Sequence, residues 1–227
     1  MVDFAWSYLA RLLTKPRIAD ALIRFAKRTP YLHLRSPDGS VYMERYWVFN
    51  PYDRVTNVPR WAPLIPFSIR VHHIRREDLD RHLHDHPWDA RTIILKGWYI
   101  EKRLVDESNP LYQAAIARVP EALDGCEIGA IEVTEAIWRR AGDTAALKTG
   151  QYHSICEVSD GGVYTLFISW KWRETWGFLV DGVKVPWREY LGLQPGGDLQ
   201  EPKRGSCNAI GERVESELRI HGGREFE

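Results

Sequence analysis

Arg81-His82-Leu83-His84-Asp85-His86-Pro87-Trp88-Asp89, followed by the β-rich run from Arg91 to Leu95 and the turn at Lys96-Gly97, is the stretch whose reading decides the fold. Three of the eight histidines alternate here, at i, i+2 and i+4. In an extended strand that spacing points all three imidazoles to one face, whereas a helix would scatter them. Imidazole is the commonest protein ligand for transition metals, and neighbours on one strand face can share an ion held at roughly 2.0–2.1 Å. Pro87 lacks an N–H, so the ladder is expected to stop there and leave the histidines at a strand end. A histidine cluster beside Asp and Arg also suits a solvated surface. The proline stop, the apolar strand that follows and a further histidine in strand context, His153, favour a metal site.

Working outward, 227 residues suffice for one sizeable domain with appendages. Lys and Arg balance Asp and Glu at 31 each, so no global field recruits nucleic acid or a membrane surface. Ten tryptophans and ten tyrosines lean towards β structure around a concave interior, although a large aromatic core accounts for them equally well. Cys126, Cys156 and Cys207 are odd in number and far apart, which argues against a disulfide framework or zinc ribbon. No apolar run approaches the roughly 20 residues of a membrane span, and the first residues lack a signal-peptide pattern. The expectation is a soluble, cytoplasmic protein that meets no nucleic acid.

Residues 3–13 and Arg17–Lys27 carry apolar residues at helical spacing, with Pro16 suited to a helix start. Their basic residues are expected to form the solvated face of a helical pair packed on the main domain. From Ser36-Pro37-Asp38-Gly39 onward the texture is extended. Strands are read over Val41–Phe49, Phe67–Ile74, Arg91–Glu101 with a bend at Gly97, Thr144–Leu147, Gln151–Ile155 and Val163–Trp172. A hairpin turns at Asp181-Gly182. The predicted organisation is a helical segment over 1–30, a β domain over 31–192 with 104–128 as an insertion or lid, and a flexible tail over 193–227. Many short strands with tight turns predict a mainly β fold, a closed or nearly closed antiparallel barrel.

This pattern resembles the cupin superfamily. The family's first motif runs His-x-His, three or four residues, Glu, about six residues, Gly; His84-Asp85-His86 followed by Gly97 matches it. The second motif is matched by Gly142-Asp143, Thr149-Gly150 and His153, without its proline. The likeness covers roughly residues 67–172. The extended run His-Asp-His-Pro-Trp-Asp also looks like uncharacterised cupin-like proteins of bacteria and phages. The resemblance implies a double-stranded β-helix, a jelly-roll barrel, with His84, His86 and His153 as metal ligands and His82 as the alternate. The position of the family's glutamate falls at Ala90, with Asp89 one residue early, so either Asp89 takes over or the site is three-histidine.

A site of this kind can hold one divalent transition metal, with Fe(II) favoured and Zn, Mn or Ni as alternatives. A cupin so equipped resembles a dioxygenase acting on a small molecule, whereas the His-x-Asp/Glu spacing of 2-oxoglutarate oxygenases is not matched. Asp89 and Tyr99 are the expected catalytic residues, and Arg91 and Trp88 the expected substrate contacts, Arg91 because its planar fork suits an anion. Two other readings stay open. One is a metal-free sugar-nucleotide epimerase or isomerase with a His/Asp base and Tyr99 as acid. The other is a non-catalytic binding cupin. A homodimer is a further expectation, since jelly-roll cupins often pair.

Overall fold

The computed structural model describes residues 2–35, 39–51, 65, 67–117 and 132–191. The expectations for the Ser36–Asp38 turn, for the 118–128 part of the insertion and for the 193–227 tail lie outside those residues.

Two helices lead, α1 (Val2–Leu13) and α2 (Pro16–Ala26), the second opened by Pro16 at its first turn. Ala19, Ile23 and Ala26, at helical spacing, are the residues α2 buries. Strands follow: β1 (Leu34–Arg35), β2 (Val41–Phe49), β3 (Ser68–Ile74), β4 (Trp88–Lys96) and β5 (Trp98–Leu104). After α3 (Pro110–Ile116) come β6 (Thr134–Arg140), β7 (Thr144–Leu147), β8 (His153–Val158) and β9 (Val163–Trp172). The hairpin β10 (Gly177–Val180) and β11 (Val183–Pro186) and the short α4 (Trp187–Tyr190) complete the described chain.

One sheet has the order β1-β2-β3-β9-β4-β7 and a second the order β6-β5-β8, every pairing antiparallel. The chain crosses from one to the other at Gly97, whose φ of +78° puts it in the left-handed region that favours glycine. A Cβ there would stand 2.5 Å from Ser159 Oγ and 2.8 Å from the Gly162 carbonyl oxygen, so space as well as backbone conformation demands glycine. Asp181 and Gly182, both at positive φ, make the tight turn of the β10–β11 hairpin. Two antiparallel sheets closing on each other across a cavity give the mainly β, jelly-roll double-stranded β-helix.

The large sheet is covered on both faces. Outward-facing Val71, Ile93, Leu95, Leu166 and Ile168 form one core with Ala10, Ala19 and Ile23 of the helices. Burying each such aliphatic side chain stabilises the fold by roughly 1.5–3 kcal/mol. The alternate residues of the same strands face the second sheet, where Ile74, Ile94, Tyr99, Ile155 and Val163 join the two layers. The period of two in β3, β4 and β9 thus assigns one set of residues to the helices and the other to the interior.

The histidine run is not the strand expected from its alternation. Between Arg75 and Pro87 only His84 makes a β-bridge, pairing with His153 on one side and Phe178 on the other. Side chains bind the neighbouring backbone there instead: Asp78 accepts from Ile155 N at 2.8 Å, and buried Asp85 accepts from Gly177 N at 2.7 Å. His84 is a one-residue stitch that attaches the β10–β11 hairpin to the edge of β8.

Candidate metal centre

The backbone of His84 donates to His153 O at 3.0 Å and accepts from His153 N at 2.9 Å. That double bond brings the two chemistry-bearing segments together although 69 positions separate them in sequence. Asp85 fixes the same segment from the other side, receiving Lys184 Nζ at 2.6 Å as well as Gly177 N. His84, His86 and His153 each present a ring nitrogen, all within 4.8 Å of one another. The His84–His153 and His86–His153 ring centroids are both 5.0 Å apart.

His153 is tied from behind by Glu101, whose Oε1 lies 2.9 Å from His153 Nδ1. Burial pushes the Glu101 carboxyl upward, but the bond from His153 and the charges of Arg103 and Arg139 outweigh it and bring the group down to about 2. An ionised carboxylate only accepts, so Nδ1 carries the proton and the Nε2 edge faces the cavity. There it lies 2.8 Å from His86 Nε2, a contact that requires one shared proton between two ring nitrogens. Burial also keeps His84 down at about 4, against the upward pull of Asp78, and holds His86 well below its usual value, with neighbouring His153 adding to the effect.

The donor set fits a divalent transition ion. Three imidazoles converge, two of them, His84 and His86, kept neutral by burial. The buried Nδ1 of His84 has no hydrogen-bond partner among the described residues. The Glu101–His153 bond is of the kind that fixes the ring orientation of a histidine able to bind a metal.

The cavity in front of the histidines measures about 220 Å³. Tyr99 and Trp88 line it. The hydroxyl of Tyr99 is held protonated, first by burial and then by the charge of Glu101. Three other expectations need correction. His82 is not in the cluster; its Nδ1 shares a 3.0 Å hydrogen bond with the Tyr190 hydroxyl, because the chain around it is not an extended strand. Asp89 does not line the cavity: it accepts from Thr149 N at 3.1 Å and pairs with Arg173 at 2.7 Å. Arg91 points the opposite way, to Asp3 at 2.7 Å and over the Trp6 ring at 5.2 Å, because β4 alternates and its odd residues face the helices.

Sequence reasoning carried Glu101 as the end of a strand and missed the carboxylate role it has here. Arg70 was given no role, and His72 was left outside the ligand set because it and His73 point to opposite faces; both Arg70 and His72 line the cavity. The signal was available in β3. Ile69 and Val71 alternate with Arg70 and His72, so when the apolar set faces a core the polar set must face the interior.

No protein-family model and no curated protein matches the chain. Among solved structures, it is similar to Fe(II)-bound HppE with the alternative substrate (S)-1-HPP, at 12% identity and a TM-score of 0.36, over 62% of this chain and 54% of that one. It is similar to the formate complex of the Lactobacillus farciminis oxalate decarboxylase at 12% identity and a TM-score of 0.39, over 68% of this chain and 34% of that one. A Bacillus subtilis oxalate decarboxylase variant matches at 12% identity and a TM-score of 0.41, over 76% and 33% of the two chains. The chain thus spans about a third to a half of the length of these relatives.

Proposed function

We propose that the protein is a metal-dependent enzyme acting on a small molecule at His84, His86 and His153, with dioxygenation at Fe(II) as its chemistry. The carrying observation is the convergence of three ring nitrogens within 4.8 Å, one of them aimed by an ionised carboxylate. His84, His86 and His153 would hold the Fe(II), which when bound would supply the capacity to activate O₂ beside the substrate. A dioxygenase leaves both oxygen atoms in its product, so no external reductant is needed.

The chain's own residues do the rest. Glu101 keeps the Nδ1 proton of His153 in place, so the Nε2 edge stays available to an ion. Tyr99, held protonated, donates a hydrogen bond to an oxygen that gains charge in the cavity. Trp88, Phe167 and Phe178 surround the reacting region with apolar surface and exclude water.

One observation favours a second reading. His153, backed by Glu101, and Tyr99 line one cavity, which is the cast of a metal-free isomerase with a carboxylate-supported base and a tyrosine acid. The test is to load the metal-depleted protein with Fe(II), Zn(II), Mn(II) or Ni(II) in parallel and follow O₂ uptake over a panel of small organic acids. Uptake by the Fe(II) form alone supports the dioxygenase. Turnover of a substrate by the metal-depleted protein, with no O₂ consumed, supports the isomerase.

A further inference from the structure

Arg70 is 5% exposed, lines the same cavity as the histidines, and holds its buried Nε without a hydrogen-bond partner among the described residues. Its guanidinium lies against aromatic faces instead: 4.7 Å from the Trp47 ring, 5.6 Å from Tyr31 and 5.7 Å from Trp88. Aromatic rings attract a cation but accept none of the five N–H groups in its plane. A buried guanidinium N–H left without an acceptor is costly, and the rest of the fork, on the cavity wall, is open to a ligand. A second cation, Arg45, stands beside it on the cavity face of β2, its Nε donating to Leu32 O at 2.7 Å. The acids that line the cavity, Asp78 and Asp80, do not pair with Arg70, and Asp78 already receives Tyr42 and Ile155 N.

We infer that Arg70 is the anion-binding group of the substrate site, and that the substrate is a small organic carboxylate. The inference rests on the metal-centre reading for the reacting end of the molecule, though not for the anion site itself. The rigid fork of a guanidinium matches the two oxygens of a carboxylate through parallel N–H···O bonds. The three rings fix that fork in orientation before a ligand arrives. Trp88 spans the distance to the ligand cluster, its ring lying 5.7 Å from Arg70 Cζ and 5.9 Å from the His86 ring. A molecule anchored at Arg70 therefore lies along an apolar wall and presents an atom about one ring width away to the histidines. The cavity volume of about 220 Å³ lies below the roughly 300–1,000 Å³ of drug-sized sites, which restricts the body of the acid to a few carbons or one ring.

The test measures binding of acetate, phenylacetate and benzoate, each against its neutral amide, by calorimetry on the full-length protein both as isolated and after metal depletion. Phenylphosphonate separates carboxylate from phosphonate recognition. The expected result is that at least one carboxylate binds about tenfold or more tightly than its amide in both forms. Arg70→Gln removes that preference and Arg70→Lys keeps part of it, with melting curves establishing that both variants fold. The inference is overturned if none of the three carboxylates exceeds its amide by more than about twofold, if the preference survives Arg70→Gln, or if only phenylphosphonate binds. The wild-type comparison needs no variant, so loss of fold cannot mask the answer. A carboxylate preference in a protein that takes up no metal removes the metal reading and leaves the anion site standing; metal uptake without the preference does the reverse.

Discussion

His153 donates its Nδ1–H to Glu101 Oε1 across 2.9 Å, and the two residues lie on adjacent strands, β8 and β5, of the smaller sheet. Glu101 is 1% exposed and is held further by Arg103 at 2.9 Å and Arg139 at 3.1 Å. The arrangement fixes a tautomer, and with it the direction in which a lone pair points.

Glu101→Gln removes the obligate acceptor and lets His153 take the wrong tautomer. Metal affinity is expected to fall about 10–100-fold, the range for loss of such supporting groups, as measured by competition with a chelator. Asp89→Ala, which breaks only the contacts to Thr149 and Arg173, leaves the affinity within about twofold. Equal effects from the two variants would contradict the assignment of roles.

Gly97→Ala forces a side chain into positive φ and against Ser159 and Gly162. The backbone conformation alone costs about 1–2 kcal/mol, and the contact adds to it. Urea denaturation should show at least that loss, and a neutral result would mean that the crossing between the sheets is not as described.

His72 is held well below its usual value, by burial first and then by Arg45 and Arg70. Its folded form stays neutral while the unfolded chain takes up a proton below about pH 6.5. The unfolded state therefore binds more protons over that window, and stability falls as pH drops from about 6.5. His72→Phe keeps the ring stacked on Phe167, 4.9 Å away in the wild type, and removes the titration. Relative to the wild type, the variant should gain about 1–2 kcal/mol between pH 8 and pH 5. Parallel pH profiles for the two proteins would exclude the effect.

Arg91→Ala loses the pair with Asp3 and the contact with Trp6, both on the helix side of the large sheet. A loss of about 1 kcal/mol in stability is expected, with metal content unchanged. Loss of metal would place Arg91 in the site after all.

The β architecture was legible because turns and alternation are local. Val41–Phe49, Thr144–Leu147 and Val163–Trp172 stand as strands with the limits read from sequence. His84, His86 and His153 were legible as a set through motif spacing. His82 was misread because alternation presumes an extended ladder, and tertiary bonds from Asp78 and Asp85 hold the run in another form. Asp89 and Arg91 were misplaced because sequence spacing does not say which face of β4 looks inward. That is decided by which alternate set the helices cover. Arg70 was invisible for the same reason, since a charged residue in a strand reads as solvated until the cover over the opposite face is known.

The most direct test of the central claim is the metal content of protein purified without a histidine tag, measured by elemental analysis beside the triple His84/His86/His153→Ala variant. The structure predicts about one equivalent of a transition metal in the wild type and none in the variant, with the variant still folded. A wild type that holds no metal and takes none up on reconstitution, or a variant that retains its equivalent, would contradict the claim.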